Sequence, residues 1–186
     1  MIFMDKIISL DYFLTNFLSK LIPHNVFFDY FFSFFSLKGA SILVWLLVIV
    51  IVVLLEERKN PGISKLDKKF IILFSISFLL TFLLVDIVLK NIFLRPRPML
   101  SDLICPHDFS FPSGHAATAF AAAAVTTFFD KKRKWFYYSV AILIGYSRIY
   151  LSCHYLFDVI VGAIIGHIIS RLLLSVPDTF PSRRKS

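Results

Sequence analysis

Polar residues are unevenly spaced along the chain. From 39 to 55 there is no charge at all, and from 70 to 89 there is one, Asp86. Three further apolar runs follow at 113–129, 135–151 and 155–176, the last carrying Asp158, His167 and Arg171. The hydrocarbon core of a bilayer, about 30 Å thick, is crossed by about 17–25 helical residues. All five runs fall in that window. They are too long for strands and lack the period-two alternation of a membrane barrel. The pattern therefore predicts an all-α fold, a polytopic membrane helix bundle with five clear spans.

The first 36 residues give a weaker signal. In IISLDYFLTNFLSKL (7–21), apolar residues recur at 10, 13, 14, 17, 18 and 21, with Asp11, Thr15, Asn16, Ser19 and Lys20 on a polar face. That spacing predicts an amphipathic helix, lying in the interface or crossing at the edge of the bundle. Pro23 ends it. The aromatic stretch 26–36 fits either a short span or an interfacial anchor. No cleavable signal peptide is expected: Asp5 precedes Lys6, and no A-x-A-like site leads into a soluble domain. No repeat or linker divides residues 1–186, so one integral membrane domain is expected, with a frayed tail after 176.

Composition agrees with this picture. The hydrophobic fraction is 58%, and 22 residues are Phe, where soluble domains sit near about 45–50% apolar. Net charge is +8, but the basic residues cluster between apolar runs. Membrane orientation explains that placement better than nucleic-acid binding. EERKNPGISKLDKK (56–69) holds five Lys or Arg, DKKRK (130–134) four and SRRKS (182–186) three. Successive spans put all three on one side, which the positive-inside rule makes cytoplasmic. Residues 90–112 and 152–154 then face outward. The two cysteines, Cys105 and Cys153, have no CxxC or zinc-like spacing. Neither a metal nor a cofactor is expected. Both cysteines fall on the outer side, where a disulfide would tie the outer loop to the residue before His154.

The outward side gathers Lys90, Arg95, Arg97, His107, Ser113, His115, Arg148, His154 and Asp158 from three separate segments. Ionisable residues near a span are costly and usually functional. Lys90, Arg97 and Arg148 supply fixed cations of the kind that stabilise a phosphoryl group in transfer. In FPSGHAATAF (111–120), Ser113 is placed to cap a helix and Gly114 lets backbone N–H groups approach an anion. His115 then sits in the first turn, able to give a proton to a leaving oxygen. His154 and Asp158 are four apart and share a helical face. A carboxylate on one imidazole nitrogen fixes the tautomer and frees the other to attack.

These segments resemble the three-part signature of the type-2 phosphatidic acid phosphatase superfamily. K-x6-RP is Lys90, Arg97 and Pro98; PSGH is Pro112 to His115; SR-x5-H-x3-D is Ser147, Arg148, His154 and Asp158. The resemblance covers roughly 86–160. It implies a six-helix bundle and metal-independent dephosphorylation. It also implies a phosphohistidine at His154, His115 as the acid, and Lys90, Arg97, Ser113, Gly114 and Arg148 around the phosphate. The expected substrate is a membrane lipid phosphate: lipid A 1-phosphate, undecaprenyl pyrophosphate or phosphatidylglycerophosphate. The expected location is a bacterial inner membrane with the site facing outward. No nucleic acid and no obligate protein partner are expected.

Other assignments are blander. Lys90 and Arg148 taken singly could be snorkelling ends of spans. His24 and His167 are taken as structural. Asp86, one turn before Lys90, is expected to pair with and orient it. Arg95 and His107 lie outside the motifs and suit headgroup contact. GAIIG (162–166) suggests close packing against the small face of 115–124. Two other functions compete. A small transporter would need charges crossing the bilayer, whereas these cluster at one face. An inactive lipid-binding homologue is disfavoured by the intact histidines.

Overall fold

A computed structural model describes residues 2–36, 40–57, 65–98, 105 and 107–176. The basic segment 58–64, the outer-loop residues 99–104 and the tail 177–186 lie outside the described residues. Among those described there are seven helices and no strand: α1 (Ile2–Ser19), α2 (Val26–Ser36), α3 (Ala40–Glu57), α4 (Lys65–Phe93), α5 (Gly114–Phe129), α6 (Lys134–Tyr150) and α7 (Leu156–Ser175). Every apolar run of the sequence folds as a helix.

Two of these helices, α4 and α7, are long and apolar enough to cross a membrane by length and composition. Helices α3, α5 and α6 have 18, 16 and 17 residues, about 24–27 Å at about 1.5 Å per residue. That is shorter than the hydrocarbon core of about 30 Å, so among the described residues helix length marks two candidate spans rather than five. The outward faces are apolar. On α7, Ile160, Ile164, Ile168 and Leu172 repeat every fourth residue and are exposed. On α4, Ile72, Ile76, Leu79, Leu83 and Ile87 are exposed. Continuous apolar faces of this kind suit hydrocarbon, not water.

Helix α5 is the centre. Its alanines bury almost completely, and α4, α6 and α7 pack around it. Small residues allow backbones to close on one another. A Cβ at Gly162 would run into the Ser113 carbonyl oxygen, and one at Gly166 into that of Ala117. The GAIIG segment therefore does pack on the small face of α5. The Ser77 and Ser170 hydroxyls, 2.7 Å apart, link α4 to α7, and Ser170 also donates to the Ala121 carbonyl at 3.2 Å. Trp45, Tyr137 and Ile144 fill the space beside Ala119, Ala122 and Ala123.

Alternating helix directions bring four helix ends together. The C-termini of α4 and α6 and the N-termini of α5 and α7 form one end of the bundle. Residues 65–69 and 130–134 lie at the other. At the first end, Leu83–Leu89 of α4 winds as a π-helix immediately before Lys90, a wider turn often found at functional sites. Leu94 then takes a left-handed conformation, φ 50°, and turns the chain into Arg95-Pro96-Arg97-Pro98.

Helix α1 forms where the spacing predicts it, and it faces an unusual way. Asp11, Thr15 and Ser19, four apart, are buried, while Leu10, Phe13 and Phe17 are exposed. A surface helix of a soluble protein does the opposite. The buried stripe meets the bundle end that carries the motifs: Tyr146 Oη donates to the Leu18 carbonyl at 2.9 Å, and Tyr155 Oη donates to Tyr12 Oη at 2.7 Å.

Candidate active site

His154 sits in the turn between α6 and α7. The Arg148 carbonyl accepts from the N–H groups of Cys153 (3.0 Å) and His154 (3.1 Å), closing the turn. Ser152 adopts φ 54° within it. A disulfide joins Cys153 to Cys105 of the outer loop, with the Cα atoms 5.4 Å apart. The loop expected to face His154 is thus covalently held beside it.

His154 is 1% exposed. Arg97 Nη1 lies 3.0 Å from its Nε2. A guanidinium can only donate, so Nε2 is the acceptor. The ring proton of the neutral imidazole then sits on Nδ1, which faces Asp158 Oδ2 at 3.5 Å. That separation is long for a hydrogen bond, as is common for catalytic pairs before substrate binds. Burial, and then the charges of Arg148, Arg97 and Lys90, push the His154 imidazole well below the usual histidine range. Nε2 therefore carries a lone pair at neutral pH.

The cations converge on the same point. Arg97 also donates to the Cys153 carbonyl at 2.8 Å, which ties it to the turn. Lys90, Arg97 and Arg148 are all buried. Arg148 is close enough to Arg97, Asp108 and Asp86 to feel their charges. Ser113 caps α5: its N–H donates to the Asp158 carbonyl at 2.9 Å, and its own carbonyl accepts from Ala117 at 3.0 Å. A Cβ at Gly114 would run into the Asp86 carboxylate, so a side chain there would have to displace the group that pairs with Lys90. His115, half-buried in the first turn of α5, lies within electrostatic range of Arg148, His154, Lys90 and Arg97. All eight residues singled out as catalytic or phosphate-binding, His154, His115, Asp158, Lys90, Arg97, Ser113, Gly114 and Arg148, therefore meet at one end of the bundle.

Four more carboxylate or cation groups complete the arrangement. Asp86 pairs with Lys90 at 2.5 Å, as its spacing predicts. Asp108, which the sequence did not single out, bridges Lys90 (2.6 Å) and Arg97 (2.5 Å). Burial works against its ionised form, but the Lys90 hydrogen bond and charge, with those of Arg97, hold it down to about 2. Arg95 lies outside the motifs, and its position suited contact with a headgroup. Instead it turns inward, to Asp158 Oδ1 at 2.6 Å and Asp11 Oδ2 at 2.7 Å. Asp11 was read only as part of a polar helix face. Its four-residue spacing to Thr15 was the available signal, but no pattern in the sequence says what lies across from it. His107 is exposed. His24 and His167 sit away from this cluster, against Asp29 and Tyr138.

Comparison with known proteins agrees with the geometry. The profile of the PAP2 superfamily matches residues 69–181. The chain is 28% identical over 142 residues to a protein named undecaprenyl-diphosphatase from Sulfolobus acidocaldarius, covering 76% of this chain and 67% of that one. It is 40% identical over 67 residues to a protein named lipid A 1-phosphatase from Porphyromonas gingivalis, covering 34% of this chain and only 15% of that one. The fold is similar to the crystal structure of a transmembrane PAP2-type phosphatidylglycerolphosphate phosphatase from Bacillus subtilis. There the TM-score is 0.68 at 24% identity, over 96% of this chain and 90% of that one.

Proposed function

Because the chain belongs to the PAP2 superfamily, we propose that it is a membrane phosphatase acting on a lipid phosphate or pyrophosphate through a phosphohistidine at His154. One observation carries this most. Nε2 of His154 is the unprotonated nitrogen, it accepts from Arg97 at 3.0 Å, and Lys90 and Arg148 are buried in the same cluster. A nucleophile ringed by cations suits attack on an anionic phosphorus centre.

The reaction runs in two displacements. The phosphate settles against Lys90, Arg97, Arg148, the Ser113 hydroxyl and the Gly114 N–H that opens α5. Nε2 attacks phosphorus and forms an N–P bond while the P–O bond to the lipid breaks. Protonated His115 gives its proton to the departing oxygen. Neutral His115 then takes a proton from water, the hydroxide attacks phosphorus, the N–P bond breaks and inorganic phosphate leaves. Throughout, Nδ1–H of His154 stays directed at Asp158, which stabilises the cationic ring of the intermediate. These side chains suffice without a divalent ion, and the cations around Nε2 would repel one.

The five apolar helices α3 to α7, including those shorter than the hydrocarbon core, all act as spans in this reading. Basic segments at one end face the cytoplasm and the site faces outward, in a bacterial inner membrane. The substrate enters sideways. At the end of α4, Ile92, Phe93 and Leu94 are exposed within four residues of Lys90. They form an apolar lip on which an acyl or prenyl tail can lie while its phosphate reaches Lys90. Recognition then rests on phosphate and tail, so lipid A 1-phosphate, undecaprenyl pyrophosphate and phosphatidylglycerophosphate are all candidate substrates.

The test is phosphate release by the purified protein in detergent on these three lipids and on a tailless phosphate monoester. Turnover of the lipids that is insensitive to EDTA and inhibited by vanadate is expected, with the tailless ester much poorer. Equal turnover of the tailless ester would remove the lateral-entry account. Loss of activity in EDTA with recovery in magnesium would remove the metal-independent one.

A further inference from the structure

Asp158 is held by more than the motif to which it belongs. Its Oδ2 accepts from the Tyr155 N–H at 2.9 Å and faces His154. Its Oδ1 is taken by Arg95 Nη1 at 2.6 Å, and the other terminal nitrogen of Arg95 is taken by Asp11 Oδ2 at 2.7 Å. Asp11 spends its second oxygen on the Phe157 N–H at 3.0 Å, and Thr15 Oγ1 accepts from the Leu156 N–H at 2.9 Å. Those two N–H groups open α7 and have no partner within the helix. Arg95 also stacks over the Tyr155 ring, 3.9 Å from its centroid. Asp11 and Asp158 are 1% and 0% exposed, so neither charge is relieved by water.

We propose that Arg95 and Asp11 are positioning residues for His154, and that α1 is therefore a working part of the active site. This rests on the phosphatase function proposed above. Arg95 fixes which carboxylate oxygen of Asp158 turns to the imidazole. Asp11 fixes Arg95 and, through the first turn of α7, the backbone that carries Asp158. Charge balance requires both. Arg95 alone would neutralise Asp158 and leave nothing to favour a cationic ring at His154. With Asp11 added, the trio keeps one net negative charge, and it faces Nδ1. A simple interfacial anchor would need none of this: an apolar helix face could hold α1 to the membrane without burying a carboxylate.

Two variants and two readouts test the proposal. Asp11→Asn keeps the shape and one acceptor for Phe157 but removes the charge. Outer partners that orient metal-ligating histidines contribute about ten- to a hundredfold in activity, and a loss of the same order is expected for a partner that orients His154. The variant should lose kcat by about that much, with KM for a lipid phosphate changed by less than about twofold. Arg95→Ala should lose at least as much and recover part of it in added guanidinium ion, which a merely unfolded protein would not do. Independently of turnover, 15N spectra of histidine-labelled protein, assigned with His154→Gln, should show Nδ1–H in the parent. They should show a mixture of tautomers in both variants. Parent-like kcat and an unchanged His154 spectrum in Asp11→Asn would overturn the proposal, as would no rescue of a folded Arg95→Ala. Should the parent hydrolyse no lipid phosphate, the phosphatase function falls, and the tautomer spectra still decide the positioning claim.

Discussion

At the scale of single residues, the proposed mechanism rests on holding opposite charges just apart. His154 is kept neutral by burial and by Arg148, Arg97 and Lys90. A lowered imidazole pKa means the attacking lone pair survives as the pH falls through the ordinary histidine range near 6.5. We expect no loss of phosphoenzyme formation attributable to His154 between pH 7 and 6, measured by rapid quench. Asp158→Asn should keep substrate affinity yet slow attack, because an amide N–H facing Nδ1 favours the wrong tautomer. Asp108 is the residue whose effect is least obvious. Its carboxylate occupies Lys90 and Arg97 as two phosphate oxygens would. Asp108→Asn should therefore tighten vanadate inhibition severalfold, and a tenfold weakening would show that Asp108 orients those cations instead. Its pKa is depressed from 3.8 to about 2, so its hold on the two cations is complete above about pH 4 and is lost as the pH falls towards 2. The motif residues were legible in the sequence because their spacing is fixed by helix ends. Asp108, Asp11 and the inward turn of Arg95 were not, because each depends on a partner at least 11 residues away in the chain.

At the scale of elements, the chemistry depends on how closely α7 lies on α5. Gly162 and Gly166 leave the Ser113 and Ala117 carbonyl oxygens no room for a side chain opposite. Gly166→Leu should force the helices apart, with overpacking costs of about 1–3 kcal/mol or more. It should lower both melting temperature and turnover by separating Ser113 from Asp158. Unchanged melting and turnover would mean the contact is slack. The Cys105–Cys153 disulfide joins residues 48 positions apart and constrains the unfolded chain by about 2–4 kcal/mol. Cys105→Ser with Cys153→Ser should cost stability of that order and loosen the turn that carries His154. The apolar runs announced these helices with boundaries accurate to a few residues, since period and length suffice for that. The facing of α1 was not announced. A polar stripe on an amphipathic helix points to water in one setting and to a buried active-site carboxylate in another, and only the packing tells which.

At the scale of the whole molecule, alternation of helix direction separates the site from the basic residues at 65–69 and 131–134. Leu94, exposed beside the site, and Ser175, exposed at the end of α7, lie at opposite ends of the bundle. Both native cysteines are bonded to each other, so a cysteine introduced at either place supplies the reactive thiol. Leu94→Cys should react with an impermeant reagent in intact cells and Ser175→Cys only after permeabilisation; the reverse pattern would invert the orientation. What joins the three scales is the covalent intermediate proposed at His154. The most direct measurement is to incubate the protein with lipid carrying a 32P-labelled phosphate, quench in alkali within milliseconds and map the labelled peptide by mass spectrometry. A phosphoryl group on His154 that is stable in alkali, labile in acid and absent from His154→Ala is the predicted result. Label on another residue, or a His154→Ala protein that turns over lipid phosphate at the parent rate, would contradict it.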